Sequence, residues 1–306
     1  MHAMRMSKIA LLLCLGLVLA AAPAGAQITT TEPAQLSGFG GWTVDPLFTV
    51  GEADGSYLPV GILDGTGAIA LDANTVRIFV NHELSDGVGY QYSLANGTVL
   101  DGARVSYFDF DRTSRSLLGY APGYDTIFDR EGNIVTSATQ LNEGIGPDPT
   151  VNGIDRLCSA WMGLAGQYGL VDDLFFTGEE TSSGLGGQEF VLDARNNVLY
   201  TVPALGRAAW EAVTMIDHPD PNKIAVVVGD DRGGAPLLLF VGTKDFFGSG
   251  DALDRNGLAT GQGTLYVWVA DSGETTPEEW NGTFTSRTGS FQPVPHYDPA
   301  MAGMAG

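Results

Sequence analysis

Eight residues of this chain have side chains suited to holding a metal ion and stand where strand-like runs end or turn: Asn81, Glu83, Cys158, Glu179, Glu180, Glu211, Asp230 and Asp231. Carboxylates with an amide oxygen are a hard donor set of the kind that takes calcium. A thiolate among them adds affinity for a transition metal such as iron. At this level Cys158 has three readings: a buried, inert small hydrophobe, a metal ligand, or a nucleophile. Ligation would account for a lone cysteine that escapes oxidation.

The elements that must position these residues are strands. Three apolar runs each close on acidic or amide residues: Val76 to Val80 before Asn81-His82-Glu83, Leu174 to Thr177 before Gly178-Glu179-Glu180, and Ile224 to Val228 before Gly229-Asp230-Asp231. Further strand-like runs cover Ala68 to Leu71, Val105 to Phe110, Glu189 to Leu192, Val198 to Val202, Leu237 to Val241 and Thr264 to Val269. Asp72-Ala73-Asn74, Asp129 to Asn133, Asp193 to Asn197 and Arg255-Asn256-Gly257 supply turn residues between them. With 42 Gly and only 17% charged residues, the chain is expected to be all-β. The spacing of the three acid-ended runs is uneven and gives no simple propeller repeat. A β-propeller-like fold nevertheless gathers strand ends around one channel and would bring such acids to one mouth. Arg156 to Tyr168 and Arg207 to Ile216 are the stretches expected to form short helical turns.

The amino end reads as an export signal. Arg5 and Lys8 precede an apolar run from Ile9 to Ala22, and Ala24-Gly25-Ala26 offers a cleavage site before Gln27. The run is too short to span a bilayer comfortably, and no Arg-Arg pair marks the twin-arginine route. A Sec-type signal therefore predicts a periplasmic or secreted protein. Removing residues 1–26 takes away two basic and no acidic residues, so the formal charge goes from −21 to −23. Such a polyanion repels nucleic acid and anionic membranes and attracts divalent cations. Neither a nucleic-acid partner nor membrane insertion of the mature chain is expected, and the chain is read as a monomer. Cys14 leaves with the signal, so no intramolecular disulfide can form.

Six pieces of the sequence, in order, resemble the PhoX-type alkaline phosphatases. They are Val80-Asn81-His82-Glu83, Arg156-Leu157-Cys158-Ser159-Ala160, Leu174 to Thr181, Gly206 to Ala212, Val228 to Gly234, and Gly261 to Trp268. The resemblance implies a propeller whose channel holds calcium and iron (Ca2+ and Fe3+) and hydrolyses small phosphorylated substrates outside the cytoplasm. It implies Cys158 as the iron-ligating cysteine, Glu179-Glu180 as the double-glutamate motif, and Glu211 as the glutamate after the Gly-Arg segment. Cys158, Glu180 and Glu211 are then the catalytic candidates, with Asn81, Glu83, Asp230 and Asp231 as further metal ligands. This chain has Trp210 where the family usually has His. The family's pattern continues into a stretch that residues 281–306 do not match, so residues 27–280 are expected to be the propeller domain and 281–306 a loop-like, truncated end. A calcium-dependent lactonase-type propeller and a non-catalytic calcium-stabilised one are the alternatives.

Other motifs carry less. No G-x-S-x-G elbow accompanies the serines, and His82, His218 and His296 lack a triad setting. His82 is expected to point away from its acidic neighbours by strand alternation. Glu52 to Gly55 and Asp251 to Gly257 miss the EF-hand spacing and read as turns, and Gly184 to Gly187 lacks the lysine of a phosphate loop.

Overall fold

A computed structural model describes residues 30–142, 148–182, 185–248, 250–276, 279–280 and 285–294. Residues 1–26, read above as an export signal, and most of the carboxy end lie outside them. The fold is all-β and propeller-like. The first sheet is antiparallel, with strands β1 (Leu63–Ala70), β2 (Thr75–His82), β5 (Arg104–Asp111) and β6 (Leu117–Pro122) in that order. The second sheet runs β9 (Leu157–Gly163), β10 (Leu174–Glu179), β11 (Gly187–Asp193), β12 (Val198–Thr201), with β7 (Thr126–Phe128) added in parallel and β13 (Arg207–Ala208) pairing β11. The third runs β14 (Trp210–Ile216), β15 (Lys223–Asp230), β16 (Leu238–Thr243), β17 (Gly263–Ala270) and β18 (Gly289–Pro293). Three short strands, β3 (Tyr92–Ser93), β4 (Val99–Gly102) and β8 (Gly153–Ile154), form a small fourth sheet.

Every strand-like run of the sequence lies within or overlaps a strand. Two expectations are corrected. Arg156 to Tyr168 and Arg207 to Ile216 are not helical turns but contribute β9, β13 and β14. Their Leu, Ala, Met and Glu residues favour a helix in isolation, but pairing with β10 and β15 overrides that weak preference. Residues 281–306 are not wholly loop, because Gly289–Pro293 pairs with β17.

The three large sheets stack face to face. The middle one is apolar on both sides, which is why β10 and β11 carry consecutive apolar residues, Leu174-Phe175-Phe176 and Phe190-Val191-Leu192, rather than alternating ones. Phe175, Phe190 and Leu192 face the first sheet and pack with Ile69, Phe79 and Val105. Leu174, Phe176 and Val191 face the third sheet and pack with Val213, Met215, Val226, Val228 and Phe240. Each such fully buried side chain contributes about 1.5–3 kcal/mol. The far face of the first sheet is covered by the chain's own amino-terminal segment: Phe48 and Tyr57 pack on Val80, Phe108, Leu117 and Tyr120. This stacking puts the leading strands β1, β9 and β14 side by side.

Candidate metal centre

Each leading strand carries a β-bulge near its start. On β1, Leu63 pairs with His82 and Thr66 with Val80, leaving one residue extra. On β9, Leu157 pairs with Glu179 and Ala160 with Thr177, again one extra. On β14, Trp210 pairs with Asp230 and Ala212 with Gly229, so Glu211 is the extra residue. The second residue of each strand is Asp64, Cys158 and Glu211 respectively. A bulge turns the strand locally and re-aims a side chain that regular pleating would send to a sheet face. Two glycines permit the close approach: a Cβ on Gly65 would collide with the backbone of Ala160, and one on Gly178 with Glu189 and the side chain of Trp210.

The three residues meet. The Cys158 thiol lies 3.3 Å from Asp64 Oδ2 and 3.1 Å from Glu211 Oε2, and its single S–H can donate to either carboxylate. Glu83, just past β2, joins Asp64 and Cys158 in a group whose potential ligand atoms lie within 4.8 Å of one another, and Glu180, just past β10, joins Cys158 and Glu211 in a second. Cys158 belongs to both. Arg156 clamps the two: its Nη2 donates to Glu83 Oε1 at 2.6 Å and to Glu180 Oε2 at 2.5 Å. Its backbone is fixed as well, donating to Leu84 O and accepting from Glu180 N. Arg156 adopts φ of 44°, a left-handed conformation that costs a non-glycine residue about 1–3 kcal/mol and is held by these bonds.

The electrostatics narrow the readings of Cys158. Burial pushes its thiol well up, and the hydrogen bonds to Glu211 and Asp64 push it further. Reactive cysteines need electropositive surroundings. This one sits among carboxylates, so without a cation it stays a thiol. Burial also raises the Glu83 carboxyl, against the opposing hydrogen bond from Arg156. A multivalent cation would reverse the sign of the local field and favour the thiolate. The residues fit such a group: four carboxylates and one thiol converge, and the buried Asn81 leaves its Oδ1 without a hydrogen-bond partner while its Nδ2 holds Cys158 O at 2.5 Å and Thr177 Oγ1 at 2.7 Å.

The structure thus brings together Glu83, Cys158, Glu180 and Glu211, with Asn81 beside them. It turns Glu179 elsewhere: the carboxylate is buried and accepts from the backbone N–H groups of Asp155 and Gln188. Of the double glutamate, Glu180 is the residue in the cluster, as alternation along β10 requires. Asp230 is engaged by Arg232, and Asp231 is exposed; neither falls in the two donor groups. His82 is buried against Ser106 Oγ at 2.6 Å, away from Glu83, and burial lowers it to about 4. Ser159 donates to the backbone carbonyl of Glu211. Sequence reasoning missed Asp64 and the role of Arg156. The signal for Asp64 was a spacing: Asp64 and Glu83, Cys158 and Glu180, and Glu211 and Asp231 are each separated by about one hairpin.

No family model matches this chain, and no curated protein does. Among solved structures the chain is similar to one described as "Pseudomonas fluorescens PhoX in complex with vanadate, a transition state analogue", with 17% sequence identity and a TM-score of 0.43. The match covers 69% of this chain and 46% of that one, so the chain spans about half the length of the structure it matches.

Proposed function

We propose that this chain is an exported metal-dependent phosphatase that hydrolyses phosphate monoesters at the Cys158 centre. The observation that carries the reading is the convergence of Asp64, Glu83, Cys158, Glu180 and Glu211 at three aligned bulges. The ordered sequence pieces that resemble the PhoX-type phosphatases supply the substrate class. Asp64, Glu83 and Cys158 would hold one cation, and Cys158, Glu180 and Glu211 another, with calcium suited to the carboxylates and iron to the thiolate. Bound cations supply the positive charge that a phosphoryl group needs on its equatorial oxygens in the transition state. The chain's own residues do the rest. Arg156 bridges Glu83 and Glu180, fixing their orientations, and offers a planar cation to a phosphate oxygen at the mouth. Asn81 fixes the Cys158 backbone.

The test is hydrolysis of an aryl phosphate by the purified chain loaded with calcium and iron. We expect chelation to abolish turnover, and Cys158→Ala and Glu211→Ala each to lower it about 100-fold or more. Asp64→Asn should do the same, and its sensitivity separates this centre from one built only on the sequence-derived residues. Turnover indifferent to chelators and to all three substitutions would overturn the reading.

A further inference from the structure

The third sheet has an outer face that none of the three apolar cores covers. Across it run two cross-strand rows, Thr214–Val227–Leu239–Tyr266 and Ile216–Ala225–Val241–Thr264. Neither row contains a charged residue, and the opposite rows, through Met215–Val226–Phe240–Leu265, are the ones in the core. A sheet with water on one side alternates apolar and polar residues. β15 instead reads Ile224-Ala225-Val226-Val227-Val228, the pattern of a strand covered on both sides. Ile216 is 46% exposed on this face, and Trp268 continues it beside Leu237, which is 47% exposed.

A second apolar surface lies at the other end of the stack. Leu36, Phe39 and Trp42 are 73%, 90% and 81% exposed, and Val44 and Leu47 are exposed with them. All but Leu47 belong to a stretch, Pro33 to Val44, without a single charge in a chain of net −21. The residues that follow, Phe48 and Tyr57, are those that cover the outer face of the first sheet. This segment therefore already acts as a cover for a sheet face, and its leading part packs into none of the apolar cores of the described residues.

We infer that this chain associates with a second copy of itself: residues 36–44 of each copy lie on the outer face of the partner's third sheet. The pairing matches an uncharged apolar stretch to two cross-strand rows that carry no charge, and its reciprocity gives the closed two-fold arrangement commonest among homo-oligomers. It replaces the monomer expected from the sequence. Because the two bodies are strongly acidic, their repulsion opposes contact and is screened by salt.

Sedimentation of the purified chain without its export signal tests this. We expect a dimer whose dissociation constant falls as salt is raised. Leu239→Glu, and separately the pair Phe39→Ser with Trp42→Ser, should each raise that constant at least tenfold. The arm pair lies outside every core, so its far-UV spectrum and its melting temperature at low concentration should match the parent's. A parent that is monomeric at all concentrations and salts overturns the inference. So does a dimer that survives the arm substitutions, a monomer whose Trp42 fluorescence already reports burial (the arm then closes on its own chain), or a monomer that instead pellets with phosphatidylcholine vesicles.

Discussion

The first and third sheets occupy equivalent places at the two ends of the stack, yet their outer faces differ. On the first, Phe48 stacks on Phe108 with ring centroids 4.1 Å apart, and Tyr57 bonds Ser106 Oγ at 2.5 Å beneath it. On the third, Val227, Leu239 and Tyr266 stay partly exposed. The inner faces of both sheets are packed alike. The difference teaches that a sheet's core face is fixed by its neighbour in the stack, whereas its outer face depends on whatever segment reaches it. The centre benefits from the common part: the bulges of β1, β9 and β14 align because the inner faces pack against the same middle sheet.

Four substitutions can break or sharpen this contrast. Phe108→Ala should have the largest effect, a loss of about 3–5 kcal/mol, because it empties a buried site between the first sheet and its cover. A melting temperature that barely moves would show the cover to be loose. Phe48→Ala removes the stacked partner from a half-buried position and should cost about 1 kcal/mol, readable as a shift in urea midpoint without change of slope.

The middle sheet supplies the third test. Glu189 is completely buried, and burial holds its carboxyl well above the usual range, with Oε1 lacking a hydrogen-bond partner. Its folded-state pKa is raised, so the folded state favours the protonated acid. The associated stability is present at pH below the ordinary glutamate value and is lost as pH rises toward the raised one. Glu189→Gln should therefore melt higher than the parent at alkaline pH and near it at acid pH. Equal melting curves across that range would place solvent or a partner at this carboxyl. The smallest effect is expected for Leu239→Ala on the outer face of the third sheet, within about 0.5 kcal/mol at low protein concentration. A cost that grows with concentration would show a second copy covering that face.

The contrast also explains which parts of the candidate centre could be read from the sequence. The second strands were legible because both their faces are apolar and their acidic ends stand out, which gave Glu83 and Glu180. The leading strands β9 and β14 were not, although they hold Cys158 and Glu211. Their bulges break the two-residue alternation, and the bulge residues Cys158 and Glu211 face the centre rather than a sheet face. Local pattern fails where function sets the residues. Asp64 was invisible for the same reason, between Gly61 and Gly65, where an acid reads as a turn residue.

Composition and patterning alone determined that the chain is all-β and which runs, β9 and β14 apart, form its paired strands. Those properties follow from burial of apolar side chains and from turn chemistry, both local in sequence. Only the tertiary structure decided which acids belong to the centre. Glu179 and Glu180 are neighbours in sequence, yet one is held by backbone amides and the other faces Cys158. Asp64 and Glu83 come from the first sheet and Glu211 from the third, and they meet Cys158 of the middle one because three sheets stack with their bulges in line. Strand alternation and sheet register, not residue type, select the donors.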